Sequence, residues 1–439
     1  MPPETVRQAA GADATPPPAA APLESALRKV TRRLLPVLMV LYVIAFLDRV
    51  NLGYAKQEFL RETGFGEAVY AFGAGIFFVG YALFEVPSNL AMARVGARRW
   101  FARIMITWGF VSAGMMLVGS VQTYYLLRFL LGVAEAGFFP GVIYYLTQWY
   151  PPSQRGPAMG LFYFGAPLAQ IIGGPLSGAL LELRGAGGLG GWQWMLMVEG
   201  LLAVVAGFAV WRWLPDGPRD ARWLTEPERS ALHQPDPTGP RTLAPSLRLS
   251  PTRTLLFGGT YLLIQTSVYG VTFYLPAQVA NLLGREAGIV VGVVSAVPWL
   301  FALAAAYGLP RLARATRAGG ALGAGALACA AVGIALSNHS APAIGLSALC
   351  IATAGFIGCQ PVFWSYATQA FGPAQAPAAI ALVNSLGAVG GFLAPNLRIW
   401  SEQHWASPFA GVAALAIATV AAAVGLFLIG RQFSPATRA

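Results

Sequence analysis

The chain has 439 residues, of which 56% are hydrophobic and 11% are charged, and its mean hydropathy is +0.58. This is too much apolar sequence for one soluble core, and long uncharged runs recur along the chain. The formal net charge of +11 does not indicate a nucleic-acid-binding domain, because the basic residues fall in short clusters between the apolar runs. Composition therefore predicts an all-α membrane protein that crosses the lipid bilayer many times.

The N-terminus, residues 1–27, is rich in proline and alanine. It lacks a basic segment that leads directly into a short apolar core with a cleavage site, so we expect a disordered cytoplasmic tail rather than a signal peptide. A second short tail is expected at residues 432–439.

Twelve spans are predicted, in two sets of six. The spans lie at about 30–53, 69–93, 100–119, 122–148, 157–182, 193–214, 254–280, 288–309, 318–336, 343–370, 376–399 and 408–430. Between the sets, residues 215–253 contain eight prolines and no apolar period, so we expect a linker loop there. Six-helix bundles at 28–214 and 254–431 suggest a duplicated transporter architecture with its site between the halves.

Charge distribution sets the expected topology. If the N-terminus is cytoplasmic, the clusters of arginine and lysine near residues 28–33, 94–99 and 311–317 and in the linker all fall on the cytoplasmic side. This is the positive-inside pattern. It predicts that both termini and the linker are cytoplasmic.

Asp48 and Arg49 stand side by side in the first predicted span. The apolar run from Leu34 to Leu47 is too short to cross a bilayer, so the span is expected to continue through both charges. Charges buried in a membrane usually serve a function. The alternative is that Arg49 lies at the end of a shorter span and extends into the headgroup region.

Four more ionisable residues fall inside predicted spans of the first half. Arg128 and Glu135 are seven residues apart on the fourth span, which places them on one helix face and allows them to share a cavity. A carboxylate near a guanidinium can exchange a proton as an anionic substrate takes over the arginine; the alternative is a static pair that fixes helix packing. Glu85 and Glu199 lie nearer the cytoplasmic ends and are expected to be gate or helix-end groups.

Aromatic and amide side chains in the second half are candidates for the other wall of a cavity. For each, packing or a place in the membrane-interface belt is the competing interpretation. The candidates are Tyr261, Gln265, Tyr269, Tyr274, Gln360, Trp364 and Asn384.

Nothing in the sequence indicates an enzyme. The three histidines fall far apart in predicted loops, the three cysteines form no CxxC pair, and no phosphate-binding loop is present. We therefore expect no catalytic residues, no metal site and no cofactor other than a coupling proton.

Four segments together resemble the anion:cation symporter family of the major facilitator superfamily. They are LDRVNLGYAK at 47–56, GYALFEVPSNL at 80–90, VGARRWFARIMITWG at 95–109 and RFLLGVAEAGFFPG at 128–141. The family includes bacterial permeases for tartrate, phthalate, hydroxyphenylacetate and galactonate, and it is related to sialin and the vesicular glutamate transporters. The resemblance implies twelve transmembrane helices in two pseudo-symmetric bundles that work by alternating access.

The resemblance also implies roles for individual residues. Arg49 matches a substrate-binding arginine, Asp48 and Glu135 match proton-coupling acids, and Arg128 matches the arginine that partners Glu135. Trp364 and Asn384 fall at positions that resemble substrate contacts in the galactonate permeases, and Tyr269 and Gln265 complete the predicted substrate site.

Two departures from the family pattern bear on specificity and gating. Ala166 stands where galactonate permeases have a glutamine, which leaves room for a more apolar or aromatic acid than a sugar acid. Ala93 stands where the superfamily loop motif has an acid before Arg94, so the expected gate rests on Glu85, Arg94 and Glu199.

The sequence thus predicts a monomeric importer of a small organic anion, coupled to protons, in a bacterial inner membrane. Two alternatives remain open: an organic-anion exchanger, and a proton-coupled antiporter that exports a drug or metabolite. GGPLSG at 173–178 is faintly similar to an antiporter motif.

Overall fold

A computed structural model describes residues 20–232 and 249–433, and these residues form helices and connecting turns without a β-strand. The predicted tails outside these ranges, and residues 233–248 of the predicted linker, lie outside the described residues. The helices of the first half are α1 (Ala20–Arg33), α2 (Leu35–Thr63), α3 (Glu67–Val95), α4 (Ala97–Gly114), α5 (Val121–Glu135), α6 (Phe138–Trp149), α7 (Pro152–Tyr163), α8 (Gly165–Leu181) and α9 (Gly191–Trp213). The remaining helices are α10 (Glu226–Leu232), α11 (Pro251–Thr272), α12 (Leu275–Leu283), α13 (Ile289–Thr316), α14 (Gly319–Leu336), α15 (Pro342–His404) and α16 (Pro408–Phe433).

Within the described residues, eleven helical segments are long and apolar enough to cross a membrane. Each coincides with a predicted span. The predicted seventh span is occupied by α11, which carries several threonines, tyrosines and a glutamine, and by the short helix α12 that continues it. The structure therefore provides a helical segment for every predicted span.

Helix α15 covers both predicted spans, 343–370 and 376–399. Its membrane-length segments are Pro342–Phe371 and Ala379–His404. The ring of Tyr261 lies 4.7 Å from the ring of Trp364 and also packs against Gly387. Trp364 and Gly387 would be about 35 Å apart on a straight helix. The two segments must therefore fold back beside each other, as two spans.

The predicted fourth span, 122–148, is interrupted. α5 ends at Glu135 and α6 begins at Phe138, with Gly137 in the left-handed conformation at φ 87°. A residue with a Cβ is strained there, and the Ser88 side chain already occupies the space that a Cβ would need. Apolar periodicity runs through this break without a change, which is why a single span was predicted.

The first predicted span was also too short. It was expected to end at residue 53, whereas α2 continues to Thr63 and buries Lys56 and Glu58 on the way. Both charges have partners: Lys56 pairs with Glu67 at 2.9 Å, and Glu58 accepts a hydrogen bond from the backbone N–H of Gly191. Because both buried charges have partners on other segments, α2 can continue past the apolar run.

The buried apolar side chains form two clusters, one in each half of the chain. The first draws mainly on residues 26–224 and the second on residues 257–429. A few side chains of the second half belong to the first cluster, and they mark the contact between the halves. They include Tyr269, Phe273, Tyr274, Ala388, Ala394 and Ile399.

Two short helices, α1 and α10, lie together at one end of the bundle. The Glu228 carboxylate of α10 accepts hydrogen bonds from Ser25 at 2.7 Å and Lys29 at 2.8 Å of α1. We call this end the near end and the opposite end the far end. Residues 20–27 were predicted to be part of a disordered tail and residues 218–232 part of a linker loop. The structure has helix at 20–33 and 226–232 instead, because Leu224 packs against the bundle and Glu228 joins the two helices.

The contact between α1 and α10 should depend on pH through Glu228. Burial opposes its ionisation, but the Lys29 ammonium, the Thr225 backbone N–H and the Ser25 hydroxyl hold the pKa of Glu228 at about 2, below its usual value of 4.5. A lowered carboxyl pKa stabilises the contact above pH 4.5, and this stabilisation is lost as the pH falls toward 2. In Glu228→Gln we expect the protection factors of the amides in residues 20–33, which are corrected for the intrinsic effect of pH on exchange, to be lower by about tenfold at pH 7 and independent of pH between 7 and 3. Equal protection factors in the variant and the wild type at pH 7 would contradict the contact.

Candidate functional site

Arg49 of α2 lies between the two halves and is the centre of the candidate site. It is 9% exposed. One terminal nitrogen, Nη2, donates to Glu135 Oε1 of α5, and the other, Nη1, lies 3.4 Å from the hydroxyl of Tyr269 on α11. The guanidinium thus contacts an acid of the first half and a tyrosine of the second half at once. Because Arg49 Nε and Glu135 Oε2 have no partner among the described residues, each ion retains free hydrogen-bonding capacity.

Aromatic rings surround the Arg49 guanidinium. Its central carbon lies 5.0 Å from the ring centroid of Phe46, 5.4 Å from that of Phe77 and 5.1 Å from that of Tyr81. These distances allow cation–π attraction, which stabilises a cation away from water. The rings hold the guanidinium in place while leaving its hydrogen-bonding edge directed to Glu135 and Tyr269.

The helix break at Gly137 places Glu135 at the C-terminal end of α5. The carboxylate therefore faces Arg49 from the end of a helix, where the chain turns into α6. Arg49 and Glu135 are joined by one hydrogen bond, which an incoming carboxylate can replace.

Arg128 does not pair with Glu135, contrary to the prediction. Its Nε donates to the carbonyl of Gly73 at 3.1 Å and its Nη2 to that of Ala74 at 3.4 Å, both on α3. Seven residues of α-helix separate Arg128 from Glu135 by about 10 Å along the axis, and the side chain is directed to the neighbouring helix instead. The ion pair that forms is Glu135 with Arg49, so Arg128 ties α5 to α3.

Asp48 and Arg49 are neighbours in sequence but face different surroundings, since successive helical residues differ by about 100°. Asp48 is 1% exposed and points into the first half. Its Oδ1 accepts from the Ser112 hydroxyl of α4 and from the Asn51 amide at 3.3 Å, and its Oδ2 has no partner among the described residues. Both charges are buried, so the interpretation in which Arg49 extends into the headgroups is wrong.

Three predicted residues of the second half share one face of α11. Tyr261, Gln265 and Tyr269 are spaced four residues apart, which aligns them along the helix. Tyr269 contacts Arg49, while Gln265 Oε1 is buried without a partner among the described residues. Trp364 packs edge-on against Tyr261, and its indole N–H is likewise unpartnered there. Buried polar atoms of this kind are usually satisfied, so Gln265 and Trp364 have capacity for a ligand.

Asn384 was predicted to contact substrate, but its amide is engaged by Glu85. The Asn384 Nδ2 donates to Glu85 Oε1 at 3.0 Å, and the Ser385 hydroxyl lies 3.3 Å from Glu85 Oε2. Glu85 is on α3 and is 4% exposed, so this contact joins the two halves at a buried carboxylate. The gate interpretation of Glu85 is compatible with this position.

Arg94 and Glu199, the other two predicted gate residues, make no hydrogen bond or ion pair to the second half within the described ranges. Arg94 is exposed at the end of α3. The nearby acid, Asp216, instead accepts from the backbone N–H of Arg98 at 2.9 Å and lies 3.5 Å from its guanidinium. Glu199 is buried inside the first half and accepts from the Ser177 hydroxyl at 2.7 Å.

Polar contacts between the halves concentrate at the far end, and sequence reasoning missed them. Glu286, between α12 and α13, pairs with Arg184 and lies 3.3 Å from Arg61 of α2. The hydrogen bond from Arg184, followed by the charges of both arginines, lowers the pKa of Glu286. The adjacent backbones of Gly174 on α8 and Gly292 on α13 are too close to accommodate a Cβ on either residue. The sequence signal that could have predicted these contacts is the opposite charge of the two halves, with Arg61 and Arg184 in the first and Glu286 in the second.

Replacing Glu286 by glutamine should favour opening at the far end. The variant loses the charge that both arginines share, whereas the matched variant Glu62→Gln alters an acid that bonds Trp192 within the first half. Distances between spin labels at Thr63 and the exposed Val290 of α13, in a background without native cysteines, should show a larger separated population in Glu286→Gln only. High salt should enlarge that population in the wild type and have little effect on the variant, because exposed pairs are screened. Identical distance distributions in the two variants would contradict a latch at Glu286.

Known proteins are similar to this chain along most of its length. The family model described as Major Facilitator Superfamily matches residues 38–395. The inner membrane transport protein RhmT of Escherichia coli (strain K12) is 44% identical over 93% of this chain and 96% of its own length. A putative tartrate transporter of Agrobacterium vitis is 41% identical over 92% of this chain and 91% of its length, and a quinolone resistance transporter of Acinetobacter baumannii is 39% identical over 84% and 86%.

Among solved structures, the chain is similar to a bacterial homolog of the human lysosomal transporter Spinster in an inward-facing and unoccupied conformation. The TM-score is 0.67 at 18% identity, with 93% of this chain and 98% of that chain covered. At this identity the likeness bears on the fold, and it agrees with the predicted twelve-helix architecture. The fold class predicted from the sequence is therefore confirmed.

Proposed function

The chain belongs to the major facilitator superfamily, and on that basis we propose that it imports a small organic anion together with protons. That it is a multi-pass membrane transporter and not an enzyme follows from the family and from the transporters it resembles. The substrate class, the direction of transport and the proton coupling are the proposed part.

The observation that carries the proposal is the contact of Arg49 with both halves. A carboxylate of the substrate has the same chemistry as the Glu135 carboxylate that Arg49 now binds. Arg49 can therefore exchange one carboxylate for the other without leaving its aromatic surroundings. The Tyr269 hydroxyl is placed to bind the same anion from the second half.

Exchange of partners at Arg49 supplies a route to coupling. When the substrate takes the guanidinium, Glu135 loses its cation in a buried site, and an isolated buried carboxylate favours the protonated form. When the substrate leaves, Arg49 returns to Glu135 and favours loss of the proton. Substrate and proton thus occupy the central site together.

In the proposed cycle, the outward-facing protein with Glu135 and Asp48 protonated binds the anion at Arg49. The halves then rock about the site and release substrate and proton inward. The near end is the cytoplasmic side in this proposal, since the basic clusters follow the positive-inside rule. The proposed location is a bacterial inner membrane, with the protein acting as a monomer.

The proposal is tested by proton movement in proteoliposomes that contain a pH-sensitive dye. External sugar acids, dicarboxylates including tartrate, and aromatic carboxylates are added in turn. Acidification of the lumen by one class identifies anion–proton symport and the substrate class together. The absence of any pH change and of any labelled uptake across the panel would overturn the proposal.

Export or exchange is the second candidate, favoured by the similarity to a quinolone resistance transporter. The same assay separates the mechanisms. In an antiporter, a substrate that enters the lumen drives protons out and makes the lumen alkaline. An anion exchanger would show labelled exchange without a change of pH.

A further inference from the structure

Lys56 and Arg398 are buried cations that the transport cycle described above does not use. Lys56 is on α2 and is 9% exposed, and Arg398 is on α15 and is 8% exposed. They belong to different halves of the chain, yet both lie against the ring of Tyr274, between α11 and α12. The ring centroid is 4.6 Å from Lys56 Nζ and 4.0 Å from the central guanidinium carbon of Arg398. The two halves thus bring two positive charges together around one tyrosine.

Neighbouring side chains hold both cations in position. The ring of Tyr70 on α3 lies 5.5 Å from Lys56 Nζ and packs edge-on against Tyr274, with ring centroids 6.1 Å apart. On the other side, Gly411 of α16 is so close to Arg398 that a Cβ there would lie 2.7 Å from Arg398 Cγ. Cation–π attraction stabilises a cation away from water, so the rings support both charges without neutralising them.

Each cation has a carboxylate partner that is more exposed than the cation. Lys56 Nζ lies 2.9 Å from Glu67 Oε2, and Arg398 Nε donates to Glu402 Oε1 at 3.0 Å. The side chains of Glu67 and Glu402 are 47% and 25% exposed, whereas those of Lys56 and Arg398 are 11% and 9% exposed. A carboxylate at the surface can turn into water at little cost, but a buried cation needs an anion beside it. Another carboxylate can therefore replace either acid.

The charges around Lys56 balance without any of the deeper acids. Those that act on it come from Glu67, Arg398 and Glu402. Glu58, also buried on α2, accepts from the backbone N–H of Gly191 and lies 4.0 Å from Arg184 instead. The remaining buried acids of the spans accept hydrogen bonds elsewhere; they are Asp48, Glu85, Glu135 and Glu199. Two cations and two acids leave the group neutral, and exchange of one carboxylate for another keeps it neutral.

The hydroxyl of Tyr274 points to a ligand independently of the charges. Tyr274 is 2% exposed, and its hydroxyl has no partner among the described residues. Buried hydroxyls are usually hydrogen-bonded. A phenolic O–H can donate to an anion, and here it belongs to the ring that both cations contact.

We propose that Lys56, Arg398 and Tyr274 form an outer site for the carboxylate of the substrate, which becomes accessible when the far end opens. The present partners of both cations are carboxylates, so this is the ligand chemistry that the site accepts. Lys56 follows Arg49 by seven residues on α2, which places both on one helix face about 10 Å apart along the axis. A small acid is shorter than this separation and occupies the two sites in turn. The outer cations collect the anion and pass it to Arg49.

This inference deepens the proposed function and rests on it for the identity of the anion. The two sites differ in their need for a proton. At Arg49 the displaced Glu135 is 1% exposed and stays buried, where the protonated form is favoured. At the outer site the displaced Glu67 or Glu402 turns into water and stays ionised. The outer site therefore binds the anion without a proton, and coupling begins at Arg49.

The chain contains two lysines, Lys29 at the near end and Lys56 at the far end, and they permit a direct test. Purified protein in lipid nanodiscs is treated with an amine-reactive ester, and peptide mass spectrometry gives the labelling rate of each lysine with tartrate, benzoate or chloride present. We expect tartrate or benzoate, at about ten times its apparent dissociation constant, to slow labelling of Lys56 about tenfold and to leave Lys29 unchanged. The absence of protection by either carboxylate would overturn the site. Equal protection by chloride would contradict its assignment to carboxylates.

Two variants test the other members of the site. Arg398→Gln removes one cation, so about tenfold more anion should be needed for the same protection of Lys56. Tyr274→Phe keeps the ring against both cations and removes only the hydroxyl, and it should have an effect of similar size. The matched control is Arg285→Gln, which removes an exposed arginine at the same end and should need no more anion than the wild type. Because Tyr274→Phe conserves shape, it also serves if Arg398→Gln does not fold. Unchanged protection in Tyr274→Phe and in a folded Arg398→Gln would contradict the site.

Arg49→Ala separates the outer site from the central one. If an anion at Arg49 closes the far end, labelling of Lys56 falls without an outer site. We therefore expect tartrate or benzoate to protect Lys56 in Arg49→Ala as in the wild type. Loss of protection in a folded Arg49→Ala protein would overturn the outer site. The labelling requires no transport, so failure of the transport proposal and failure of the outer site are distinguishable.

Discussion

Replacement of Arg49 by lysine is expected to weaken binding of the transported anion by on the order of 100-fold. Lysine keeps the positive charge, but it lacks the planar fork that contacts Glu135 and Tyr269 at once. Each lost charge-assisted hydrogen bond is worth about 1.5–3 kcal/mol, and 1.4 kcal/mol corresponds to tenfold in affinity. Arg49→Ala should abolish binding, since it also leaves Glu135 buried without its cation.

The measurement is calorimetric titration of the purified protein with the acid that the proteoliposome panel identifies. Arg94→Lys is the matched control, because Arg94 is an exposed arginine at the end of α3. It should bind the anion with the affinity of the wild type. Unchanged affinity in Arg49→Lys and Arg49→Ala would remove Arg49 from the site.

The sequence predicted the central residues of the site because buried charges are rare and conspicuous. Asp48, Arg49 and Glu135 stand out in apolar spans, and the structure buries all three. Tyr269 was one of several aromatic candidates in the second half, and only its position against Arg49 separates it from the rest. Composition and periodicity can place a residue in a span, but which residue of the other half it meets depends on how the halves pack.

The wrong predictions have the same cause. Arg128 and Glu135 share a sequence motif and a helix face, yet Arg128 extends to the α3 backbone, and the break at Gly137 leaves Glu135 to Arg49. Asn384 is polar and lies in a span, but its partner Glu85 is 299 residues away in the chain. Such pairings arise from tertiary contacts that no local pattern encodes.

The contacts between the halves also suggest how substrate exchange and rocking are linked. At the far end, Glu286 joins the halves through two arginines, and at the centre Arg49 joins them through Tyr269. In the proposed cycle, an anion at Arg49 contacts both halves. Only a conformation in which both halves reach the anion is stabilised by both contacts. Binding energy is therefore available to favour closure about the substrate, while the far-end latch determines how often the empty protein opens at that end.

Glu135→Gln should abolish proton-driven accumulation of the anion while sparing counterflow exchange. The glutamine carbonyl still accepts a hydrogen bond from Arg49, so the site keeps its shape, but the side chain can no longer take up and release a proton. Without that step a pH gradient cannot drive uptake, and the labelled anion should only equilibrate across the membrane.

Uptake in proteoliposomes with an acidic exterior, followed by counterflow with unlabelled anion inside, measures both activities in one preparation. Glu62→Gln, which changes an acid bonded to Trp192 within the first half, should accumulate substrate as the wild type does. Because Arg49 in Glu135→Gln faces no competing carboxylate, the anion should also bind at least as tightly as in the wild type. A Glu135→Gln protein that still concentrates the anion when driven by a pH gradient would remove Glu135 from the coupling mechanism.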